Sequence, residues 1–328
     1  MPPAPDKRRH HYVPVTYLNG FADGAGKVAA YPKDEPTRVF KSKPDRIAFE
    51  NYYYSQVTPD GHADNNTLED LFSGVETAWP GLVADLAAGR PLGAKAGVLF
   101  EFITLLRVRV PAARDAVERF DAEAVRMTLR QLDARGDLPP WPAGLDAEKV
   151  VISIDPNRSL QAMPHLLRGL ASLIERLGFE VVHNATPIDF ITSDNPVIHY
   201  DPEQPADRLR PYDTPPGRPA VLLVPLTRRL LLRGRTGPPI LKTGGEIGRA
   251  EIRDEAEIEQ LNGLIARFGY RFVFAADAEL GPKLAAFAEH SPIAHFQHLP
   301  LAKGSMLATR FTFGARPDKP RWTPTNAA

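Results

Sequence analysis

Phe179-Glu180-Val181-Val182-His183, Asp189-Phe190-Ile191-Thr192, Val197-Ile198-His199-Tyr200, Val221-Leu222-Leu223-Val224 and Leu230-Leu231-Leu232 follow one another as short apolar runs, most joined by turn-length connections. Runs of this length, bounded by turn residues, read as β-strands rather than helices. Ahead of them the apolar spacing is helical. Residues 94–110 are apolar almost throughout, interrupted by Glu101, Thr104, Arg107 and Arg109, which predicts a helix buried on most sides. Residues 112–135 read as a long charged helix after Pro111, and residues 160–177 as a further helix stopped by Gly178. Beyond the strands, residues 251–268 are amphipathic and lead into a strand over 271–275. Helices, then a meander, then one helix and one strand make an α+β order rather than repeating βαβ units. The expected architecture is a helical N-terminal half packed on a mainly antiparallel sheet built largely from the C-terminal half.

Towards the N-terminus, Asp23-Gly24-Ala25-Gly26 is a turn before the strand Lys27-Val28-Ala29-Ala30-Tyr31, and the tyrosines at 52, 53 and 54 favour a second strand over 51–56. Asn66 is placed to cap a helix, with Glu69 reaching back to it, and that helix runs to about residue 88 with Pro80 ending or kinking it. Pro139-Pro140-Trp141-Pro142 excludes regular structure from residues 136–146. The proline-bearing tail over 315–328 reads as disordered, and residues 276–314 as a C-terminal extension packed on the single core that precedes them.

The 328 residues carry 40 Lys and Arg against 40 Asp and Glu, so any nucleic-acid partner needs a local patch rather than a global field. With no cysteine, disulfides, thiolate metal sites and cysteine nucleophiles are excluded, leaving His, Asp and Glu as the strong metal ligands. The Pro-rich, then basic start has no apolar signal core, and no run of about 18 apolar residues occurs, so a cytoplasmic protein without a membrane partner is expected.

Several segments resemble one bacterial family, DUF4238, a domain of unknown function. His10-His11-Tyr12-Val13-Pro14 with Tyr17-Leu18 and Phe21 resembles its opening signature, and Leu68-Glu69 with Glu76 its first helical motif. Arg109-Val110-Pro111 with Arg114 resembles its Arg-Thr-Pro segment, with Val110 in place of the threonine. Phe190-Ile191-Thr192-Ser193-Asp194-Asn195-Pro196-Val197 resembles its strand-and-turn motif, and Pro225-Leu226-Thr227 the strand end that follows. The resemblance spans about residues 9–275 and implies no particular activity.

The candidate chemistry lies in the same segments. His10 and His11 can ligate metal or exchange protons near neutrality, though in an extended chain only one of two neighbours faces a given site. Glu69 and Glu76 share a helix face but lie two turns apart, roughly 10 Å, too far for both to bind one ion directly. Glu101, Thr104 and Arg107 form a polar stripe on an apolar helix, satisfied either by internal pairing or by a cleft. Asp194 and Asn195 sit in a turn that either is structural or presents them to a ligand, and the Asp194 side chain is expected to accept from nearby backbone N–H groups. Ser193-Asp194-Asn195 and Lys242-Thr243-Gly244 match two β-lactamase elements, but the companion Ser-x-x-Lys is missing, which excludes that acyl-serine chemistry. Residues 20–27 miss phosphate-loop spacing, and His290, His295 and His298 lack the helical zinc spacing.

Two functions follow. One is a hydrolase in which His10, His11, Glu69, Glu76, Asp194 and Asn195 act as acid, base or ligands, Arg107 and Arg109 hold an anionic group, and a divalent metal ion serves as cofactor on a phosphodiester or nucleotide substrate. The other is a non-enzymatic module that binds peptide or single-stranded nucleic acid by stacking on exposed aromatics such as Tyr52, Tyr53 and Tyr54, with the same polar residues forming a buried structural network. Convergence of these side chains around an open pocket separates the first from the second.

Overall fold

The computed structural model describes residues 7–58, 60–238, 240, 246–301 and 305–323. At its centre is a five-stranded sheet in the order Gly248–Ile252, Leu177–Asn184, Leu230–Thr236, Val221–Thr227, Ile198–Tyr200. All its pairings are antiparallel except that of Gly248–Ile252 with Leu177–Asn184. Alternate side chains of a strand point to opposite faces, and here both faces are covered. Leu222, Val224 and Leu232 pack with Leu99, Phe102, Leu106, Leu170 and Leu173 of the helices Lys95–Val108 and Met163–Ile174. Val221, Leu223 and Leu231 pack instead with Ile258, Leu261 and Ile265 of the helix Glu255–Phe268. Double burial is why the sequence of this meander is apolar without alternation.

The α+β class holds, but helices and strands are interspersed along the chain. A four-stranded antiparallel sheet takes two strands from each end of the sequence, in the order Phe40–Ser42, Val28–Pro32, Phe272–Ala275, Thr192–Ser193. The N-terminal half therefore supplies sheet as well as helix. Residues 51–56 are not one strand: Arg9–His11 pairs with Phe49–Asn51, and the chain then turns at Tyr52, whose φ is 58°. The turn sends Tyr53 and Tyr54 into the protein.

The helix expected from residue 66 is two, Thr67–Glu76 and Trp79–Ala88, with Pro80 in the first turn of the second, where its missing N–H costs nothing. Asp64 accepts the amides of Asn66 and Thr67, while the Asn66 side chain takes the Lys7 amide, so the expected capping box does not form. Gly178 lies inside the strand Leu177–Asn184, not beyond a helix; a Cβ there would stand 2.7 Å from the Pro238 carbonyl oxygen. The helix Lys95–Val108 is buried along Leu99, Phe102, Ile103 and Leu106 but exposes Glu101, so its burial is one-sided.

Past residue 275 the strands Ser291–Pro300 and Ser305–Gly314 form a hairpin against the long helix Pro111–Arg135, with the Phe296 and Phe120 rings 5.9 Å apart. The tail read as disordered is anchored over its first part: the Lys319 ammonium lies 2.8 Å from Asp115 and 2.7 Å from Glu118, and Arg316 pairs with Asp34. Lys242-Thr243-Gly244 lies outside the described residues. No helix of the described residues is long and apolar enough to cross a membrane.

Candidate functional site

The residues singled out in the sequence fall into three places. The first is built around Arg109. The helix Lys95–Val108 must stop before Pro111, which disfavours helical geometry at Val110, and Val110 is extended at φ −77° and ψ 156°. This break turns Arg109 inward, where it is 2% exposed. Its Nη1 donates to Glu76 Oε1 at 2.5 Å, its Nε to the Tyr54 hydroxyl at 3.2 Å, and its Nη2 to the His11 carbonyl. The guanidinium also lies 4.8 Å from the centre of the Phe72 ring. One cation thus joins the first strand, the tyrosine turn and the helix Thr67–Glu76.

His10 is the inward residue of Arg9–His11 and has no exposed surface. Its Nδ1 accepts the Tyr54 amide at 2.8 Å, which places the ring proton on Nε2, and Nε2 donates to the Lys7 carbonyl at 3.0 Å. The ring stacks on Tyr54 at 5.6 Å and 9°. His10 therefore anchors the chain start to the tyrosine turn. His11 points the other way, beside Phe49 at 5.5 Å, and its Nε2 is buried without a hydrogen-bond partner. Burial holds its pKa below the usual histidine value, reinforced by Arg109 and opposed by a backbone hydrogen bond at Asp45 and by Glu76.

Glu69 completes this group. Its Oε2 is buried and unpartnered, and burial pushes its pKa up to about 7 against the pull of Arg109, with Glu76 adding to the rise. A carboxyl that holds its proton more tightly when folded makes the native state weaker as pH rises from the unfolded value near 4.5 through 7. Glu69→Gln is thus expected to match wild type at pH 4.5 and to exceed it by about 1–2 kcal/mol at pH 8, after allowance for partial solvation. Guanidinium titrations at the two pH values measure the difference, and equal gains at both would refute the assignment. With Glu76 committed to Arg109, this group leaves two unpartnered donors, His11 Nε2 and Glu69 Oε2, which is too few to hold a divalent ion. Among the described residues no cluster of three or more His, Asp or Glu is placed for a metal. The late histidines are spread along the hairpin, His298 on Glu123 at 2.9 Å and His295 on Thr312 at 2.8 Å.

The second place is the seam at Asp194 and Asn195, both without exposed surface. The Asp194 carboxylate accepts the amides of Tyr270 and Arg271, each at 2.8 Å, as its place in a turn predicts, but the donors come from the link between the helix Glu255–Phe268 and the strand Phe272–Ala275. Burial raises its pKa above the usual range, and those amides and the Arg271 charge pull it back. Asn195 Nδ2 donates to the Phe268 carbonyl at 2.7 Å and to the Tyr212 hydroxyl at 2.5 Å. The Tyr212 ring carries the Arg107 guanidinium at 4.0 Å.

Arg107 opens the third place, a cleft of about 760 Å³ between the helices Pro111–Arg135 and Met163–Ile174 and the C-terminal hairpin. Arg107, Arg176, His199, Tyr212 and Thr214 line part of it. Arg176 donates to the Thr214 carbonyl at 3.1 Å, and His199 Nδ1 lies 3.2 Å from the Thr214 hydroxyl. Burial, with Arg107 and Arg176 adding to it, holds the His199 pKa down to about 3. Neither Arg107 nor Arg176 pairs with a carboxylate of the described residues, whereas Arg109, Arg233 and Arg271 all do. The structure thus gathers His11, Glu69, Glu76 and Arg109, sets Asp194 and Asn195 in a separate seam, and leaves Arg107 in the cleft. Sequence reasoning read Tyr54 as an exposed stacking aromatic, whereas Tyr54 is 1% exposed and packs on His10 and Phe72. It missed Arg176, His199, Tyr212 and Thr214. The one signal for this group is polar residues inside or beside apolar strands.

Fold and site together define an α+β protein with a buried polar frame at its N-terminus and a separate cleft bearing two unneutralised arginines. The chain belongs to the family described as Protein of unknown function (DUF4238), whose model matches residues 9–279. No curated protein and no solved structure matches the chain.

Proposed function

We propose that this chain is a binding protein whose ligand is an anion seated in the cleft at Arg107 and Arg176. The observation that carries the reading is two guanidiniums without carboxylate partners among the described residues, lining one cleft of about 760 Å³, within the size range of small-molecule sites. Charge left uncompensated beside apolar walls is strengthened by the low local dielectric, and a ligand anion neutralises it. The polar residues near the N-terminus then serve as the frame, because all but His11 Nε2 and Glu69 Oε2 spend their hydrogen bonds and ion pairs on each other and on the backbone.

The test is titration of the purified chain with phosphate, AMP, an acidic peptide and dodecanoate. At least one anion is expected to bind, and Arg107→Gln with Arg176→Gln together are expected to weaken it about tenfold or more while the unfolding midpoint stays within a few degrees. Unaltered binding by the double variant would overturn the reading. A second reading, a hydrolase, draws support from the unpartnered His11 Nε2 and Glu69 Oε2 and from a carboxyl that titrates near neutrality. On that reading Glu69→Gln abolishes turnover of a phosphodiester or nucleotide. On the frame reading it changes only the pH dependence of stability.

A further inference from the structure

The cleft at Arg107 is not polar throughout. Tyr212, under the Arg107 guanidinium, meets the Phe311 ring edge-on at 5.2 Å. In the hairpin Phe311 pairs with Ala294, and Phe296 pairs with Thr309, so Phe311 and Phe296 lie two register steps apart on the side that faces the cleft. Phe296 in turn meets Phe120 at 5.9 Å. An apolar stripe thus leads away from the two arginines, flanked by Val117, Leu166 and Leu170. Phe120 and Leu166 are 40% and 37% exposed, large apolar surface left to solvent along a concave face. The polar residues further along are already engaged: Asp121 with Arg158 at 3.7 Å, His165 with Arg168 at 2.7 Å.

Resting on the anion-binding reading above, we infer that the ligand is a medium- or long-chain fatty acid, its carboxylate at Arg107 and Arg176 and its chain along Phe311, Phe296 and Phe120. A nucleotide would leave its base edge and sugar hydroxyls against Val, Leu and Phe side chains that cannot hydrogen-bond them. A hydrocarbon chain loses nothing there, and a carboxylate matches the fork of a guanidinium. The hairpin that supplies Phe296 and Phe311 lies beyond residue 279, where the family match ends, so ligand choice rests on a segment outside the matched domain.

The experiment is isothermal titration of the full chain with dodecanoate, decanoate, octanoate, dodecanol and AMP, each below its aggregation concentration. Dodecanoate is expected to bind most tightly, with affinity falling roughly tenfold for each two methylenes removed. Dodecanol is expected to be weaker by about tenfold or more, the worth of the charged head. Phe296→Ser with Phe311→Ser is expected to flatten the chain-length dependence while Arg107→Gln removes the preference for acid over alcohol. AMP binding that depends on Arg107, with no dodecanoate binding, would overturn the fatty-acid inference and leave the anion-binding reading standing. Affinity independent of chain length would also overturn it. Failure of every ligand in the panel would overturn the fatty-acid inference, failure of phosphate and the acidic peptide as well would sink the anion-binding reading, and circular dichroism of each variant separates lost binding from lost folding.

Discussion

Replacing Arg109 with alanine is expected to lower the stability of the chain by about 3–5 kcal/mol, the cost of removing one partner from a buried ion pair. Four acceptors or packing partners lose their cation at once: Glu76, the Tyr54 hydroxyl, the His11 carbonyl and the Phe72 ring. Glu76 is 19% exposed, so its charge is only partly rehydrated, and the His11 carbonyl keeps just a weak Tyr54 contact at 3.3 Å. The unfolding midpoint should fall by roughly 6–15 °C in a chain of this size. The paired variant Arg109→Met with Glu76→Leu removes both charges and should recover part of the loss, because the penalty lies in the uncompensated partner more than in the lost attraction. A loss under about 1 kcal/mol for Arg109→Ala would show that the network frames nothing, a result at odds with the burial of every group in it.

The sequence made four of the five central strands legible because they are buried on both faces, so that Val221-Leu222-Leu223-Val224 is uniformly apolar whichever layer each residue meets, whereas Gly248–Ile252 is largely exposed and its last two residues read as helix. The helix Pro111–Arg135 was legible from the proline that starts it and the proline-rich stretch that follows it, and Gly136 closes it at φ 74°. Pairing was not. Nothing local in Val28–Pro32 says that its partner is Phe272–Ala275, some 240 residues on, since periodicity identifies a face but not what covers it. The same limit governs the site. Asp194 was read correctly as an acceptor of backbone amides, yet Tyr270 and Arg271 as the donors came only with the fold. His10 and His11 were expected to face opposite ways, and the strand does separate them, but that His10 turns to the backbone of the tyrosine turn and His11 to Phe49 came only with the fold. The cleft escaped because His199 sits between Ile198 and Tyr200 in a run that reads as strand, and because Arg107 and Arg176 are 69 positions apart.

Asp194→Ala is expected to cost about 3–5 kcal/mol, by leaving two buried amides unpaired at roughly 1–3 kcal/mol each and opening a small void. Both amides belong to the link between the helix Glu255–Phe268 and the strand Phe272–Ala275, a link already tight because a Cβ at Gly269 would stand 3.2 Å from the Ser193 Cβ. Tyr270 then passes the effect outward, since its hydroxyl donates to Asp115 at 3.0 Å and its carbonyl accepts from Ser291 at 3.0 Å at the start of the hairpin. Asp194→Asn keeps the shape and one acceptor but turns an N–H₂ towards an amide N–H, so about half the loss is expected. Denaturant titration measures both, and amide exchange at Tyr270 and Arg271 locates the effect. Those two amides should exchange faster in the alanine variant while the interior of Lys95–Val108 keeps its protection relative to the new global stability. Because Asn195 next to it holds the Tyr212 hydroxyl, and Tyr212 carries Arg107, the alanine variant should also bind the cleft ligand more weakly. Full stability with accelerated exchange absent would show that the Asp194 turn is held by its packing alone and not by its carboxylate.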